Sequence, residues 1–145
     1  MTGILSTKRL KKRVNMLLET KRMLLRFKTE ISYASQDIGA IIRTASEYTV
    51  CEAAVALPAF MLNPCHALLE AARDNLPDSK DIEWFEDFIS GLGQSDTAGQ
   101  IEHIDLHKEL LQSHIDQAVH DYSTKAKLYL ALGLFSGVVL CTLIV

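Results

Sequence analysis

The sequence predicts an all-α protein, a bundle of about six helices whose last helix continues into a C-terminal transmembrane helix. Apolar residues recur along most of the chain with the helical period of about 3.6, without the alternation typical of a half-buried strand. Asn, Asp, Pro and Gly interrupt this pattern where helices are expected to begin and end. The third observation is an uninterrupted apolar run in the last residues.

Length and composition fit one globular domain. The chain has 145 residues, of which 48% are hydrophobic and 23% charged, and this composition excludes a disordered chain. Its three cysteines, Cys51, Cys65 and Cys141, lie far apart and form no CxxC pair. Neither a disulfide framework nor a zinc knuckle is therefore indicated, and a reducing compartment fits best.

The first helix is predicted to run from Lys8 to Tyr33, with one apolar and one basic face. The apolar face consists of Leu10, Val14, Leu17, Leu18, Leu24, Leu25 and Ile31, and the basic face of Lys8, Lys11, Lys12, Arg22 and Arg26. Lys21 and Lys28 interrupt the apolar face, which argues against a long coiled-coil seam.

Four shorter helices are predicted to follow, over residues 37–48, 51–62, 63–75 and from 77–79 onward. Pro58 is expected to kink or restart the second of them. The pair Asn63-Pro64 starts the third, since asparagine caps free amide groups and proline fits the first helical turn. Residues 91–96 then break the helical period with two glycines and predict a junction between helices.

The last helix is predicted to run unbroken from an apolar stripe at residues 101–122 into the tail. Residues 128–145 read LYLALGLFSGVVLCTLIV, 18 residues without a charge, and they would span about 27 Å, close to a hydrocarbon core of about 30 Å. Lys125 and Lys127 flank the entry side, so the positive-inside rule leaves the preceding bundle in the cytoplasm. Gly133 and Gly137 form a GxxxG pair suited to packing between membrane helices.

Charge is distributed unevenly, although the net charge is only −3. Residues 1–30 hold nine Lys or Arg against two acidic residues, and residues 31–124 hold four against sixteen. A basic head on an acidic body can face anionic lipid or an acidic partner. Nucleic acid is not an expected partner, because no aromatic residues interleave with the basic ones and no reading motif is present.

No catalytic residue, cofactor site or metal site is predicted, and the chain is expected not to be an enzyme. It lacks the P-loop, HExxH and GxSxG patterns. One alternative is a metal site on a row formed by His103, His107 and His114, but His114 lies about 10 Å beyond His107 on a helix. The acidic run at residues 78–87 is interpreted as a solvated helix face.

Three segments carry a resemblance to a known family. Residues 91–96 (GLGQSD), followed by Gln100 and by IDL at 104–106, resemble the signature of the stage III sporulation protein AB family. Residues 27–33 (FKTEISY) resemble its Leu-Glu-Thr-Glu-Ile-x-Tyr stretch, and the pattern KxYxxLG at 127–133 resembles its entry into the hydrophobic tail.

The resemblance implies a helical bundle similar to the cytoplasmic domain of the inner-membrane platform protein of type II secretion and type IV pilus systems. It implies a non-enzymatic scaffold of the channel between mother cell and forespore, in the outer forespore membrane, in contact with other channel components. It also implies docking of a cytoplasmic secretion-type ATPase. Family members usually begin with a further hydrophobic helix, so residues 1–7 are interpreted as its remnant, with a truncated start and a single-spanning chain both open.

We therefore expect a bundle over residues 8–124 and an anchor over 125–145. The predicted partner-binding residues are Gly91, Gly93, Ser95, Asp96, Gln100, Arg22, Arg26, Asp81 and Glu83, and the predicted membrane-packing residues are Gly133 and Gly137. The alternative function is a tail-anchored adaptor whose basic first helix lies on anionic membrane lipid.

Overall fold

The computed structural model describes residues 2–34, 37–93 and 96–144, with side chains at 7–33, 37–93, 96–134 and 137. Within these residues all regular structure is helical, which confirms the all-α prediction. The elements are α1 (Thr2–Ala34), α2 (Ile38–Thr44), α3 (Thr49–Ala56), a 3-10 helix (Pro58–Met61), α4 (Pro64–Asn75), α5 (Ser79–Gly91) and α6 (Thr97–Ile144).

The predicted starts of α4 and α5 are confirmed. The side chain of Asn63 accepts a hydrogen bond from the His66 amide at 3.1 Å, and Asp78 accepts one from the Lys80 amide at 2.8 Å. Each side chain satisfies an amide that the helix itself leaves unpaired.

The predicted end of α2 is wrong, because turns form where the helix was expected to continue. α2 ends at Thr44 instead of residue 48, since the Ser46 and Tyr48 amides bond to carbonyls only three residues earlier. The predicted restart at Pro58 is confirmed, since residues 51–62 divide into α3, which ends at Ala56, and the 3-10 helix, which begins at Pro58.

Two long helices, α1 and α6, form the main axis of the fold. Lys28 Nζ donates to Asp105 Oδ1 at 2.8 Å, and Lys21 Nζ donates to Gln112 Oε1 at 2.7 Å. Because the partner numbers rise as the α1 numbers fall, the two helices are antiparallel. Lys21 and Lys28, which interrupt the apolar face in the sequence, therefore mark the edge along which α6 lies.

The core lies between this pair and the shorter helices. From α1 it takes Met16, Leu17, Met23, Leu24, Phe27 and Ile31, from α5 Trp84, Phe85, Phe88 and Ile89, and from α6 Ile104, Leu111, Ile115 and Ala118. Leu25, predicted for the apolar face of α1, is 42% exposed. The prediction for Leu25 is wrong because the buried face of α1 includes Met16, Met23 and Phe27, and Leu25 lies outside that face.

α6 continues as one helix to Ile144, well past Ala118, the last buried residue among those of α6 with described side chains. In the part of the chain that the structure describes, no helix offers a stretch long and apolar enough to span a membrane. The predicted anchor stays a prediction, and much of it (135, 136 and 138–145) lies outside the residues with described side chains. Among the described residues, no atom lies within 4 Å of a Cβ built on Gly133 or Gly137.

Candidate functional site

A buried ion pair joins α1 to α5. Arg13 Nε donates to Asp81 Oδ2 at 2.8 Å, and Arg13 Nη2 donates to Asp81 Oδ1 at 3.2 Å. Asp81 is fully buried and Arg13 is 7% exposed. The Asp81 hydrogen bond raises the pKa of Arg13 above its ordinary value against the opposing effect of burial. The Arg13 guanidinium therefore remains charged in the interior, and its bidentate geometry with Asp81 makes the contact specific.

His114 of α6 completes this network. Its Nδ1 lies 2.8 Å from Asp81 Oδ1, so Nδ1–H donates and the carboxylate accepts. Asp121, also on α6, lies 3.6 Å from Arg13 Nη1. The network thus connects α1, α5 and α6 through one buried carboxylate, and its polar atoms bond to one another.

A second interior cluster stacks aromatic rings and imidazoles between α5 and α6. The Trp84 and Phe88 rings are parallel with centroids 5.7 Å apart, and the His103 ring stacks on Phe88 at 5.6 Å. Trp84 Nε1 donates to the His107 carbonyl at 3.0 Å. Burial lowers the pKa of His107, the largest of the influences on it. His107 is therefore expected to be neutral at pH 7.

The imidazole hydrogen bonds of this cluster go to backbone carbonyls. His103 Nε2–H donates to the Phe88 carbonyl at 2.7 Å, and His107 Nδ1–H donates to the His103 carbonyl at 2.9 Å. The third member of the predicted row, His114, faces Asp81 instead. Among the described residues, no three His, Cys, Asp or Glu side chains come together as a metal site.

The α5–α6 junction, here residues 91–93 and 96, was predicted to be a partner surface. A Cβ on Gly91 would overlap the His103 imidazole, so glycine is required by close packing. Gly93 has a φ of +82°, the left-handed conformation that glycine adopts most easily. Asp96 caps α6 by accepting from the Gly99 amide at 2.9 Å, and its own carbonyl accepts from the Gln100 amide.

The junction lies at the end of the bundle where α1 passes into α2. A Cβ on Gly93 would lie 3.3 Å from Ile38 Cγ1 at the start of α2. Asp96 is exposed and Gln100 is half-buried. Ser95, another predicted contact, lies outside the described residues.

The remaining predicted contacts are not near this junction. Arg26 forms ion pairs with Glu30 at 3.3 Å and with Glu47 at 3.9 Å. Arg22 is exposed and lines a groove of about 370 Å³ with Glu47 and other residues. Glu83 is exposed on the outer face of α5. The predicted residues therefore occupy separate surfaces.

Asp81 is a correction to the predicted partner surface. Its carboxylate is fully buried against Arg13 and His114, so a docking protein cannot reach it. In the sequence, Arg13 is one of nine basic residues among positions 1–30, and its contact with Asp81 was not predicted. The available signal was spacing on α5: position 81 lies three and four residues before the apolar positions 84 and 85, on the face that they bury.

A cluster that sequence analysis missed lies at the opposite end of the α1–α6 pair. Lys8 and Lys11 of α1 and Ala126 and Tyr129 of α6 line one groove, together with Thr7. The sequence predicted basic residues in both helices, but their approach depends on the antiparallel pairing.

Comparison with known proteins adds one match. The family model described as stage III sporulation protein AB matches residues 1–145, the full length of the chain. No curated protein and no solved structure matches it.

Proposed function

Because this chain belongs to the stage III sporulation protein AB family, we propose that it is a non-enzymatic membrane scaffold in the channel between mother cell and forespore. In this proposal a cytoplasmic secretion-type ATPase docks on the bundle, and residues 125–145 attach it to the outer forespore membrane beside other channel components. The bundle faces the cytoplasm, where the ATPase operates.

The observation that carries the proposal is the separation of two surfaces along one rigid axis. The α5–α6 junction lies at one end of the α1–α6 pair, and the apolar part of α6 leaves the bundle at the other. From Lys8 to Ala34, α1 covers about 40 Å at 1.5 Å per residue. A scaffold needs such a spacer, because a partner docked at the junction would stand clear of the membrane.

The exposed leucines of α6 support attachment to a membrane. Leu128, Leu130, Leu132 and Leu134 are each more than half exposed and lie on different sides of the helix. Apolar side chains around a whole helix are stable only when another apolar phase covers them.

The interior supports a structural role. The charged groups of Arg13 and Asp81 bond to each other, and the imidazoles of His103 and His107 donate to backbone carbonyls. The Arg13–Asp81 pair joins α1 to α5 and the His103 bond joins α6 to α5, whereas the His107 bond lies within α6. A scaffold that transmits force between its ends requires helices that are held together in this way.

The test is co-purification of the full chain, in detergent, with the secretion-type ATPase of the same complex. A stoichiometric complex is expected at low and at moderate salt. If the chain is folded by circular dichroism and no complex forms, ATPase docking is rejected.

Asp96→Asn tests the docking surface without breaking the helix cap, since asparagine caps as well as aspartate does. Loss of complex formation with Asp96→Asn, but not with the control Asp74→Asn on α4, would place the ATPase at the junction. Equal binding by both variants would remove the junction from the proposal, and charge reversal at Arg22 and Arg26 would then test the flank of α1.

A tail-anchored adaptor on anionic lipid is the second candidate, and the exposure of Lys8, Lys11 and Lys12 on α1 favours it. This adaptor would bind anionic membranes and would not require the ATPase.

A further inference from the structure

Five lysines lie together where α6 leaves the bundle. Lys8 and Lys11 line the groove with Ala126 and Tyr129, and Lys12, Lys125 and Lys127 lie within one helical turn of these residues. All five are exposed. We call them the lysine collar, because they surround the base of the exposed apolar segment.

The two segments of sequence that contain the collar lack acidic residues. Residues 1–18 and 122–145 contain no Asp or Glu. Asp121, the acidic residue next to this end on α6, lies 3.6 Å from Arg13 Nη1 and is half-buried. Among the described residues, Lys8, Lys11, Lys12 and Lys127 form no ion pair. Lys8, Lys11, Lys12 and Lys127 therefore present positive charges that no acidic residue in the described part of the chain neutralises.

The groove beside the collar is almost wholly apolar. It has a volume of about 340 Å³ and is lined by Thr7, Lys8, Lys11, Ala126 and Tyr129. The Ala126 methyl group, the Tyr129 ring and the carbon stems of the two lysines form its walls, and both lysines are exposed to solvent. Leu128 and Leu130, both exposed, follow directly along α6.

We propose that the lysine collar, at the edge of this apolar groove, binds the phosphate of an anionic phospholipid headgroup. This inference rests on the membrane attachment in the proposed function and adds a selectivity for lipid charge. A phospholipid has its phosphate next to its acyl chains, and the protein has its ammonium groups next to its exposed leucines in the same order. An acidic protein surface would match the lysines but leave the leucines uncovered.

Flotation of the full chain with lipid vesicles tests the inference. Detergent-solubilised chain is diluted onto vesicles of phosphatidylcholine, or of phosphatidylcholine mixed with phosphatidylglycerol. We expect stronger partitioning onto the anionic vesicles, with a preference that salt reduces because it screens exposed charges.

Lys8→Gln combined with Lys11→Gln should lower the preference for anionic vesicles about 30-fold, since each lysine near an anionic surface contributes about fivefold. The matched control, Lys80→Gln combined with Lys108→Gln, removes the same charge from positions on α5 and α6 away from the groove and should leave the preference unchanged. Circular dichroism checks that each variant is folded.

Four results would overturn the inference. If the chain binds both vesicle types equally, the headgroup site is absent although membrane attachment stands. If the control lowers the preference as much as the lysine variant does, the effect is one of net charge only. If the folded chain floats with neither vesicle type, membrane attachment fails as well. A lysine variant that keeps its lipid preference but loses the ATPase would instead assign the collar to an acidic protein.

Discussion

Asp81 binds two other side chains inside the bundle, those of Arg13 and His114. Asp81→Ala would leave the Arg13 guanidinium buried without its bidentate partner and His114 without its acceptor. Removing one member of a buried ion pair costs about 3–5 kcal/mol, because the remaining charge loses its compensation. We expect a loss of that size in urea-induced unfolding, followed by Trp84 fluorescence.

Glu83→Ala is the control for this prediction, because Glu83 lies two residues away on the exposed face of α5. It should change the free energy of unfolding by no more than about 0.5 kcal/mol. Arg13→Met combined with Asp81→Leu should recover much of the loss, since an apolar pair has no charge to compensate. Equal losses for Asp81→Ala and Glu83→Ala would contradict the structure.

The lowered pKa of His107 predicts that acid decreases the stability of the folded chain. Burial lowers its pKa in the folded chain below the ordinary value of 6.5. Below about pH 6.5 the unfolded chain therefore binds a proton that the folded chain does not, and its contribution to stability falls as pH decreases. Measured between pH 7.5 and 5, the free energy of unfolding of His107→Leu should fall less steeply than that of the unmodified chain. Parallel curves would exclude this role.

At the scale of the elements, the contact of α5 with α6 depends on Gly91. In Gly91→Ala the new methyl group would push the His103 imidazole off Phe88 and break its bond to the Phe88 carbonyl. Overpacking of this kind costs about 1–3 kcal/mol. Thermal unfolding should show the loss.

His103→Ala provides the matching test, because it removes the ring that the methyl group would strike. In the background of His103→Ala, the further change Gly91→Ala should cost much less than it does in the unmodified chain. The difference is the coupling between the two positions. Additive effects would mean that the glycine is not required by the imidazole.

At the scale of the whole molecule, the bundle and the exposed end of α6 are expected to be separable in stability. Among the described residues, the buried positions of α6 end at Ala118, and Leu128, Leu130, Leu132 and Leu134 are exposed. Removal of residues 128–145 should therefore leave the free energy of unfolding within about 0.5 kcal/mol of the full chain. Partitioning onto phosphatidylcholine vesicles should be lost, because the exposed leucines are gone.

The comparison uses chemical denaturation and vesicle flotation on the same two preparations. A large loss of stability on truncation would show that the end of α6 belongs to the bundle. Unchanged flotation would show that membrane attachment, where it occurs, lies elsewhere in the chain.

The sequence by itself determined the features that depend on near neighbours. The helical period, the Asn63 cap, the start of α5 at residues 77–79 and the restart at Pro58 each involve residues within four positions of one another, so they can be predicted from short stretches of sequence. The family resemblance also depended on short segments, and the match over residues 1–145 confirms it.

Tertiary structure alone decided which charged and polar residues are interior. Asp81 and Glu83 look alike in the sequence, but one is fully buried and the other exposed, because Arg13 reaches Asp81 from 68 positions away. The collar likewise forms only when antiparallel packing brings Lys8 and Lys11 beside Ala126 and Tyr129. Contacts across such separations depend on how whole helices pack, and no local pattern of residues records that arrangement.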